Sequence, residues 1–368
     1  MRKIVIFYRD FMYSDFSYSL GGIQSYIQLL IRALCKEYKI IVVQAHDHKF
    51  SFESNDFSLI SLGYYDIKKA ISYIEKSKLK HSEDIFLFAS EQYAGKTKWE
   101  NTMVIQHGIY WDLPVSVYNK KLKNSFLQKI FKIFENYRNY KRMQIFKNIV
   151  CVDYNYINWY RTITPATHNI NFYPILNCAS DAFFNAKNNS DENTITVLFA
   201  RRFVELRGVS ILISVTDKLI KKYSHVRVKI AGDGPYKELL HKKFEASEKV
   251  SFFNVTYNGM PDFMSSCDIV IVPSLGSEGT SFSAIEAMAL GKAVVATNVG
   301  GLTNIIIDGY NGILVDINED RFYESIAHLV ENEDYRKKIG KNARIVAEKA
   351  FSFEVWSKSW KKVLTRLS

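Results

Sequence analysis

A chain of 368 residues has room for two or three domains, each with its own hydrophobic core. Its formal net charge of +11 favours an acidic partner, for which nucleic acid, anionic lipid and a nucleotide diphosphate are the candidates. Four cysteines without paired spacing argue against a disulfide-rich secreted protein, and no apolar run reaches the roughly 18 residues of a membrane-spanning helix. We therefore expect reduced, mostly buried thiols and a cytoplasmic location.

Short apolar runs alternate with helical patterns through the first half of the chain. Apolar side chains recur at helical spacing from Ile23 to Leu34, which predicts an amphipathic helix. Strands interleaved with such helices are typical of a parallel, doubly wound sheet. The predicted strands of this half are residues 4–8, 40–44, 59–62, 85–89, 103–106 and 149–152.

The first half also contains candidate ligand contacts. Gly21 and Gly22 lie in the loop between the first strand and the first helix, where glycine lets a backbone approach a phosphate, although a plain turn is the alternative. His107 follows a strand at the end that carries ligand sites in such sheets, although most lone histidines are structural. His46 and His48 lack an evident third ligand, and we interpret them as surface residues rather than a metal site.

Residues 119–148 hold the largest concentration of basic side chains. The segment contains a single acidic residue, Glu135, and its apolar and tyrosine side chains form a stripe beside the basic ones. Such a basic amphipathic helix favours peripheral binding to an anionic membrane surface, and a solvated outer face is the alternative. The basic residues are Lys120, Lys121, Lys123, Lys129, Lys132, Arg138, Lys141, Arg142 and Lys147.

A change in composition marks a boundary near the middle of the chain. A polar run without periodicity occupies residues 185–193 and predicts a linker. We place the first domain at 1–176, the linker at 177–193 and the second domain at 194–352, with a closing helix at 353–368 that returns to the first domain. The strands predicted in the second half are 194–199, 226–230, 250–253, 268–272, 293–297 and 313–315.

The segment after the strand at 268–272 carries the strongest functional signal. A loop rich in Gly and Ser comes after the strand, and an apolar helix is predicted from about Ser281 to Gly291. Glu278 lies before this helix and Glu286 inside it, so a rise of about 1.5 Å per residue separates their backbones by roughly 12 Å. Because paired glycosidase carboxyl groups lie about 5–9.5 Å apart, this spacing better suits the two ends of one elongated ligand.

Between the two glutamates lies a helix N-terminus, whose backbone N–H groups favour phosphate. A ligand with hydroxyl groups at both ends and phosphates between them is a sugar nucleotide. The alternative is an ordinary apolar helix with two incidental glutamates. The N–H groups concerned belong to Gly279, Thr280, Ser281 and Phe282.

The pattern Glu278-x7-Glu286, the subsequent Ala-Met-Ala-x-Gly and the later Gly300-Gly301 resemble the retaining glycosyltransferases of family 4. These enzymes have the GT-B fold, in which two Rossmann-like, doubly wound α/β domains face a central cleft. The resemblance implies that Glu278 contacts the donor sugar and that Glu286 contacts the ribose of the nucleotide.

Two arginines at the start of the second domain match a further motif of this family. Arg202 and Arg207 occupy the positions of Arg and Lys in the Gly-Arg-Leu…Lys-Gly loop, which clamps the donor phosphates in the family. Arg201 stands where the family usually has glycine, and the sequence leaves its effect open. Two exposed structural arginines are the alternative.

The remaining matches are shorter. Gly232 and Gly234 resemble the Gly-x-Gly-Pro turn that borders the nucleotide, and His107 resembles a histidine that reaches the donor sugar. Asn304 departs from the family, in which many members carry Glu. The resemblance thus adds to the donor site Gly21, Gly22, Gly232, Gly234, Asn254, Val255 and His107.

Together these motifs predict a retaining glycosyltransferase that moves a sugar from a nucleotide diphosphate sugar to a hydroxyl group of a glycan or lipid-linked oligosaccharide in bacterial surface polysaccharide synthesis. The sequence has no Asp-x-Asp metal motif, so we expect neither a metal nor another cofactor. A sugar-nucleotide epimerase of the same fold is one alternative, and a basic binding protein without enzymatic activity is another. No nucleic-acid-binding module is visible, and the donor sugar, base and linkage stay open.

Overall fold

The computed structural model describes residues 1–19, 21–77, 79, 83–109, 124–164, 169–276 and 278–367. The chain divides into two compact units, and each unit is built on its own sheet. Unit 1 comprises Met1–His107, Phe134–Leu176 and Trp356–Ser368, and unit 2 comprises Gly108–Ile133 and Asn177–Val355.

The sheet of unit 1 has eight strands among the described residues. They are β1 (Lys3–Tyr8), β2 (Lys39–Gln44), β3 (Lys49–Glu53), β4 (Phe57–Leu62), β5 (Ile85–Phe88), β6 (Thr102–Gln106), β7 (Asn148–Cys151) and β8 (Asn171–Pro174). Their order across the sheet is β3-β4-β2-β1-β5-β6-β7-β8. All neighbours are parallel except β3 and β4. The central strands are buried along nearly their whole length, which explains why they are continuous apolar runs.

Helices connect these strands, and polar side chains define where two of them begin. Asp66 accepts a hydrogen bond from the N–H of Lys69 at 3.0 Å, and Asp153 accepts one from the N–H of Tyr156 at 3.0 Å. Both are helix N-caps. The helices in the order of the chain are α1 (Gly22–Leu34), α2 (Ile67–Lys76), α3 (Ser125–Met143) and α4 (Tyr154–Ile163).

The sheet of unit 2 has six described strands, and all neighbours are parallel. They are β9 (Ile195–Ala200), β10 (Val226–Ala231), β11 (Val250–Phe253), β12 (Ile269–Val272), β13 (Ala293–Thr297) and β14 (Ile313–Val315). Their order is β11-β10-β9-β12-β13-β14, the order of a dinucleotide-binding Rossmann sheet.

The core of unit 2 lies between this sheet and its helices. Phe199, Phe203 and Phe322 are among its fully buried side chains. The helices are α5 (Asp181–Asn185), α6 (Val209–Lys222), α7 (Lys237–Phe244), α8 (Met260–Ser265), α9 (Phe282–Ala289), α10 (Glu319–Glu331) and α11 (Glu333–Ala350). The last helix, α12 (Phe353–Thr365), begins in unit 2 and continues in unit 1.

The last part of α12 belongs to unit 1. Nε1 of Trp360 donates a hydrogen bond to the hydroxyl of Tyr26 at 3.0 Å, and the ring of Tyr26 meets that of Trp356 edge-on at 5.2 Å. Aromatic side chains of α12 and α1 therefore share one core in unit 1.

The predicted α/β fold with parallel sheets is confirmed, and every strand predicted from an apolar run is present within two residues of its expected bounds. The first sheet also contains β3, a strand that the sequence analysis did not predict and that is antiparallel to β4. The four cysteines are free thiols, of which three are buried, as expected. Among the described residues, no helix combines the length and the apolar composition that crossing a membrane requires.

Candidate functional site

The strand order of unit 2 creates a switch point between β9 and β12. Further strands are added outward from β9 on one side and from β12 on the other, so the loops after these two strands diverge. In open parallel sheets, ligands bind at such a point, outside the carboxyl ends of the strands. Arg201 follows β9 directly, and Ser274 and Glu278 follow β12. The sequence motifs therefore lie where the fold itself favours a ligand.

Glu278 is the centre of a buried charge cluster at this point. Its Oε2 atom accepts hydrogen bonds from Nη2 of Arg201 at 2.7 Å, from Oγ of Ser274 at 2.6 Å and from Nη1 of Arg207. Nη1 of Arg201 also donates to Oγ of Ser274 at 2.6 Å. Two guanidinium groups thus share one carboxylate, which leaves one positive charge of the cluster uncompensated.

Opposing effects act on the pKa of the Glu278 carboxyl group. Burial raises this pKa because it removes water from the charged form. The guanidinium groups of Arg201 and Arg207 and the hydroxyl of Ser274 together favour the carboxylate more strongly and hold the pKa at about 2. Glu278 is therefore an ionised group at neutral pH, suited to accept hydrogen bonds and not to donate a proton.

Glycines fix the backbone around this cluster. Gly208 has φ +76°, and a Cβ atom there would lie 1.8 Å from the carbonyl oxygen of Pro273, so the loop after β9 packs directly on the end of β12. A Cβ atom on Gly300 would lie 2.2 Å from the carbonyl oxygen of Glu278, and the N–H of Gly301 donates to that oxygen at 2.6 Å. The Gly300-Gly301 pair therefore holds the backbone of the Glu278 loop in place.

The structure distinguishes the three arginines of the loop after β9. Arg207 pairs with Glu278 and keeps 33% of its side chain exposed. Arg202 is exposed and has no side-chain partner within the part of the chain that the structure describes. Arg201, which the family motif does not predict, is the most deeply placed, with 5% of its side chain exposed. In the sequence, only the replacement of the motif's glycine by Arg201 indicated that this position is unusual. Nothing in the sequence indicated a role for Ser274.

Glu286 lies on α9 in a different environment from Glu278. The residue is 8% exposed, and its carboxyl group has no hydrogen-bond or ion-pair partner among the described side chains. Burial alone raises its pKa to about 8. Two glutamates of one loop-and-helix segment thus have opposite pKa shifts, because one is paired with cations and the other is only desolvated.

The loop between the two glutamates leads into the N-terminus of α9. The helix begins at Phe282, and Ser281 precedes it without capping it through its side chain. The hydroxyl of Thr280 accepts a hydrogen bond from the N–H of Asn177 at 2.9 Å, so the start of the predicted linker holds this turn. The backbone of Gly279 packs under Gly301.

The other predicted donor contacts of unit 2 lie after the neighbouring strands. Gly232 (φ +141°) and Gly234 (φ +150°) come after β10, and Cβ atoms there would lie 2.1 Å from the carbonyl oxygen of Arg201 and 2.6 Å from that of Phe203. These glycines therefore let the β10 loop pack against the arginine loop. Asn254 is exposed and Val255 half-buried directly after β11, and Asn304 ends the 3₁₀ helix Gly300–Asn304.

Unit 1 has its own switch point, between β1 and β5, and His107 lies close to it after β6. Nε2 of His107 lies 2.7 Å from the carbonyl oxygen of Ala89, and the backbone N–H of His107 donates to Oε2 of Glu91 at 3.3 Å. Burial lowers the pKa of His107 to about 4 and raises that of Glu91 to about 7. Because a carbonyl only accepts, Nε2 carries the proton of the neutral ring, and Nδ1 is its acceptor.

Gly21 and Gly22 are in the same unit, at the start of α1. Gly22 is the first residue of this helix, and Gly21 precedes it without a side-chain cap. The sequence analysis did not identify Glu91, whose carboxylate accepts a hydrogen bond from the backbone of His107. A lone glutamate after a strand has no distinguishing pattern.

The interpretation of His46 and His48 as surface residues is wrong for His46, which is buried. Asp47 lies between the two rings, with Oδ1 2.7 Å from Nδ1 of His46 and 2.8 Å from Nδ1 of His48. The rings of His46 and Tyr13 meet edge-on, so aromatic packing rather than exposure defines this position.

Residues 180–346 match the family described as glycosyl transferases group 1. This part of the chain is similar to a group 1 glycosyltransferase domain. It contains Arg201, Arg207, Glu278 and Glu286, the residues that the geometry singles out. The domain covers the switch point of unit 2 and most of its helices.

Relatives align with about half of the chain. An uncharacterised glycosyltransferase of Methanocaldococcus jannaschii is 36% identical over 177 residues, which cover 46% of this chain and 48% of the relative. A lipopolysaccharide 1,2-N-acetylglucosaminetransferase of Salmonella typhimurium is 29% identical over 189 residues, or 48% of each chain. The chain thus spans about half the length of these curated relatives.

Solved structures resemble the whole chain. Sucrose-phosphate synthase from Thermosynechococcus elongatus has a TM-score of 0.77 at 16% identity and covers 100% of this chain and 99% of its own. HepE of Anabaena, in complex with UDP-glucose, has a TM-score of 0.71 at 15% identity with complete coverage of both chains. At such low identity the likeness concerns the fold, and it confirms the expected GT-B architecture of two Rossmann-like domains.

Proposed function

We propose that this chain is a retaining glycosyltransferase that takes a sugar from a nucleotide diphosphate sugar. The observation that carries the proposal is the pair of glutamates in one segment of a group 1 domain, one ion-paired and the other buried without a partner. A buried carboxyl group that only loses solvation is unfavourable for the fold, which is typical of residues kept for a ligand. The two hydroxyl groups of a ribose would offer Glu286 the hydrogen bonds that it lacks.

The remaining residues of unit 2 supply the other parts of a donor site. Arg207 places positive charge on Glu278, in the loop that leads into α9, and Arg202 is an exposed cation of the loop that carries Arg207. The backbone N–H groups at the start of α9 also favour phosphate. The charge of the diphosphate grows as the bond to the sugar breaks, so these groups stabilise the transition state more than the ground state. Glu278, ionised and held by its neighbours, would accept hydrogen bonds from sugar hydroxyl groups. Retention at the anomeric carbon is supported by the family 4 resemblance.

His107 would act as a neutral hydrogen-bond acceptor in this reaction. Its low pKa keeps the ring uncharged at neutral pH, and the bond from Nε2 to Ala89 leaves Nδ1 to accept from a hydroxyl group. A neutral imidazole fits a sugar hydroxyl better than a cationic one, because a hydroxyl must donate here. Its contribution is therefore one of binding and orientation.

The acceptor is proposed to be a glycan or lipid-linked oligosaccharide of a bacterial surface polysaccharide. Support comes from the Salmonella typhimurium relative, whose name assigns it to lipopolysaccharide. The reaction is proposed to need no metal, since Arg202, Arg207 and the N-terminus of α9 can together balance the diphosphate charge.

A thermal-shift screen of the full chain against UDP-, GDP-, ADP- and dTDP-sugars, in excess chelator, tests the donor and metal proposals. A ligand at about 100 times its dissociation constant stabilises the folded state by about 2.7 kcal/mol, which raises the melting temperature by several degrees. We expect one nucleotide series to do so with chelator present. No shift with any of them would contradict the donor proposal, and a shift that requires manganese or magnesium would contradict metal independence.

Helix α3 supports the proposal that the protein binds an anionic membrane surface peripherally, at the cytoplasmic face. Residues 119–123 of the predicted basic segment lie outside the described residues, but α3 contains most of it. Several of its apolar side chains are exposed rather than packed: Phe126 is 68% exposed and Ile133 70%. Ile130, Phe134 and Tyr137 continue the same helical face, with exposed basic residues beside it.

Sedimentation with anionic and neutral vesicles at low salt tests this membrane proposal. We expect binding to anionic vesicles only, because each basic residue near such a surface contributes about 1 kcal/mol. Replacing Phe126 and Ile133 together by serine should weaken binding about tenfold without unfolding, since both side chains are exposed. The matched control is Ile307→Ser, which removes an apolar side chain that is 63% exposed in unit 2. An equal loss of vesicle binding in the control and in the α3 variant would contradict a role for α3.

A further inference from the structure

Arg201 and Arg207 hold the same carboxylate oxygen but differ in their freedom to move. Arg201 leaves β9 with its N–H bonded to the carbonyl of Ala231 at 3.0 Å, and 5% of its side chain is exposed. Arg207 ends the 3₁₀ helix Glu205–Arg207, and a third of its side chain is exposed. A surface-facing guanidinium can exchange its partner, whereas a buried one keeps it.

The partners of Glu278 determine its charge state if Arg207 leaves. The charged groups that face the carboxylate are Arg201 from the loop after β9 and Arg207 from the 3₁₀ helix, and the polar group is the Ser274 hydroxyl from the loop after β12. A diphosphate offers Arg207 more negative charge than the single carboxylate that it shares with Arg201. With Arg207 on the phosphates, Arg201 and Ser274 would be the remaining partners of Glu278.

We propose that Arg201 is a positioning residue that keeps Glu278 ionised and in place while Arg207 transfers to the donor diphosphate. The proposal rests on the proposed function, because it requires a nucleoside diphosphate ligand. It explains why two guanidinium groups serve one carboxylate: one is retained and one is available. It also assigns a role to the residue that replaces the glycine of the family motif.

Glu286 indicates what happens to a glutamate in this region without a cation. It is as buried as Glu278, and with no partner its pKa rises to about 8. If Arg201 were absent when the diphosphate takes Arg207, Glu278 would keep only the Ser274 hydroxyl. One proton from solvent would then bind to the Glu278 carboxylate near neutral pH.

Isothermal titration of the full chain with UDP, GDP, ADP and dTDP, in two buffers of different ionisation enthalpy, measures this proton. We expect the Arg201→Gln protein to take up as much as one proton more than the wild type for each nucleotide bound. We also expect it to bind the nucleotide about 10- to 100-fold more weakly. Arg201→Lys should restore the wild-type proton count, because it keeps the charge. The double variant with Arg201→Gln and Glu278→Gln should show no additional proton.

A merely structural Arg201 would change stability but not the proton count. If Arg201→Gln does not fold, Ser274→Ala replaces it, since losing this hydroxyl should produce a smaller uptake of the same sign. Nucleotide binding with the wild-type affinity and proton count in the substituted protein would overturn the proposal. A wild-type protein that binds none of the four nucleotides would overturn the proposed function and this inference together, whereas binding without the additional proton in Arg201→Gln overturns the inference alone.

Discussion

We expect Glu278→Gln to lower the turnover of donor by the full chain about 10²- to 10³-fold, the loss that follows when one preorganised charge is removed from a transition-state site. The same substitution leaves Arg201 and Arg207 without their carboxylate, which should destabilise the fold by about 3–5 kcal/mol. Activity is therefore measured as nucleoside diphosphate released per folded molecule, at a temperature where circular dichroism shows the variant folded.

The pH dependence separates the two effects of Glu278→Gln. The pKa of Glu278 is about 2 in the folded protein, below the unfolded value of about 4.3, so its ionisation stabilises the fold above the unfolded value. The stability difference between wild type and variant should be constant from about pH 8 to 5 and shrink as pH falls toward about 2.

Two neighbouring arginines separate a loss of turnover from a loss of stability. Arg202→Ala removes an exposed side chain and should lower turnover with little change in melting temperature, whereas Arg201→Ala should lower both. A Glu278→Gln protein with wild-type turnover would contradict the assigned site.

Glu286→Gln should have opposite effects on stability and on nucleotide binding. The buried carboxyl group has a pKa of about 8, above its unfolded value of about 4.3. Unfolding then releases a proton between these values, so the stability of the wild type falls as pH rises through this range. A neutral glutamine avoids this loss, and we expect the variant to be more stable by about 1–3 kcal/mol near pH 8 and by little near pH 5.

Above pH 8, where the Glu286 carboxyl group is ionised, the same variant should bind nucleotide about 10- to 100-fold more weakly, because hydrogen bonds to a charged group contribute about 1.5–3 kcal/mol. Thermal denaturation across this pH range and titration with the nucleotide selected by thermal shift measure the two effects. If the variant binds nucleotide more weakly but gains no stability at high pH, the Glu286 carboxyl group is either solvated or paired in the folded protein.

The sequence was sufficient for the fold because parallel strands buried on both faces are continuous apolar runs. The two strands not predicted lack such runs. β3 alternates Phe50 and Phe52 with polar residues and is antiparallel, and β8 is an edge strand that ends at Pro174. Both have the weaker, half-exposed pattern of edge positions.

The candidate site was predictable where a motif sets the spacing and not where packing sets the direction of a side chain. Glu278 and Glu286 lie eight residues apart in sequence, but nothing in that spacing distinguishes a carboxylate paired with two cations from one without a partner. Similarly, Arg201 and Arg202 are adjacent and chemically identical. Only the direction in which the backbone leaves β9 determines which of the two is buried against Glu278. Charge pairing depends on contacts between distant segments, which local patterns do not encode.

A crystal structure of the full chain with the nucleoside diphosphate selected by thermal shift would test the central claim most directly. We expect its phosphates within hydrogen-bond distance of Arg207 and of the N–H groups at the start of α9, and its ribose hydroxyl groups at Glu286. A diphosphate bound elsewhere, for example in the pocket beside β14 lined by Arg321 and His328, with Arg207 still on Glu278, would contradict it.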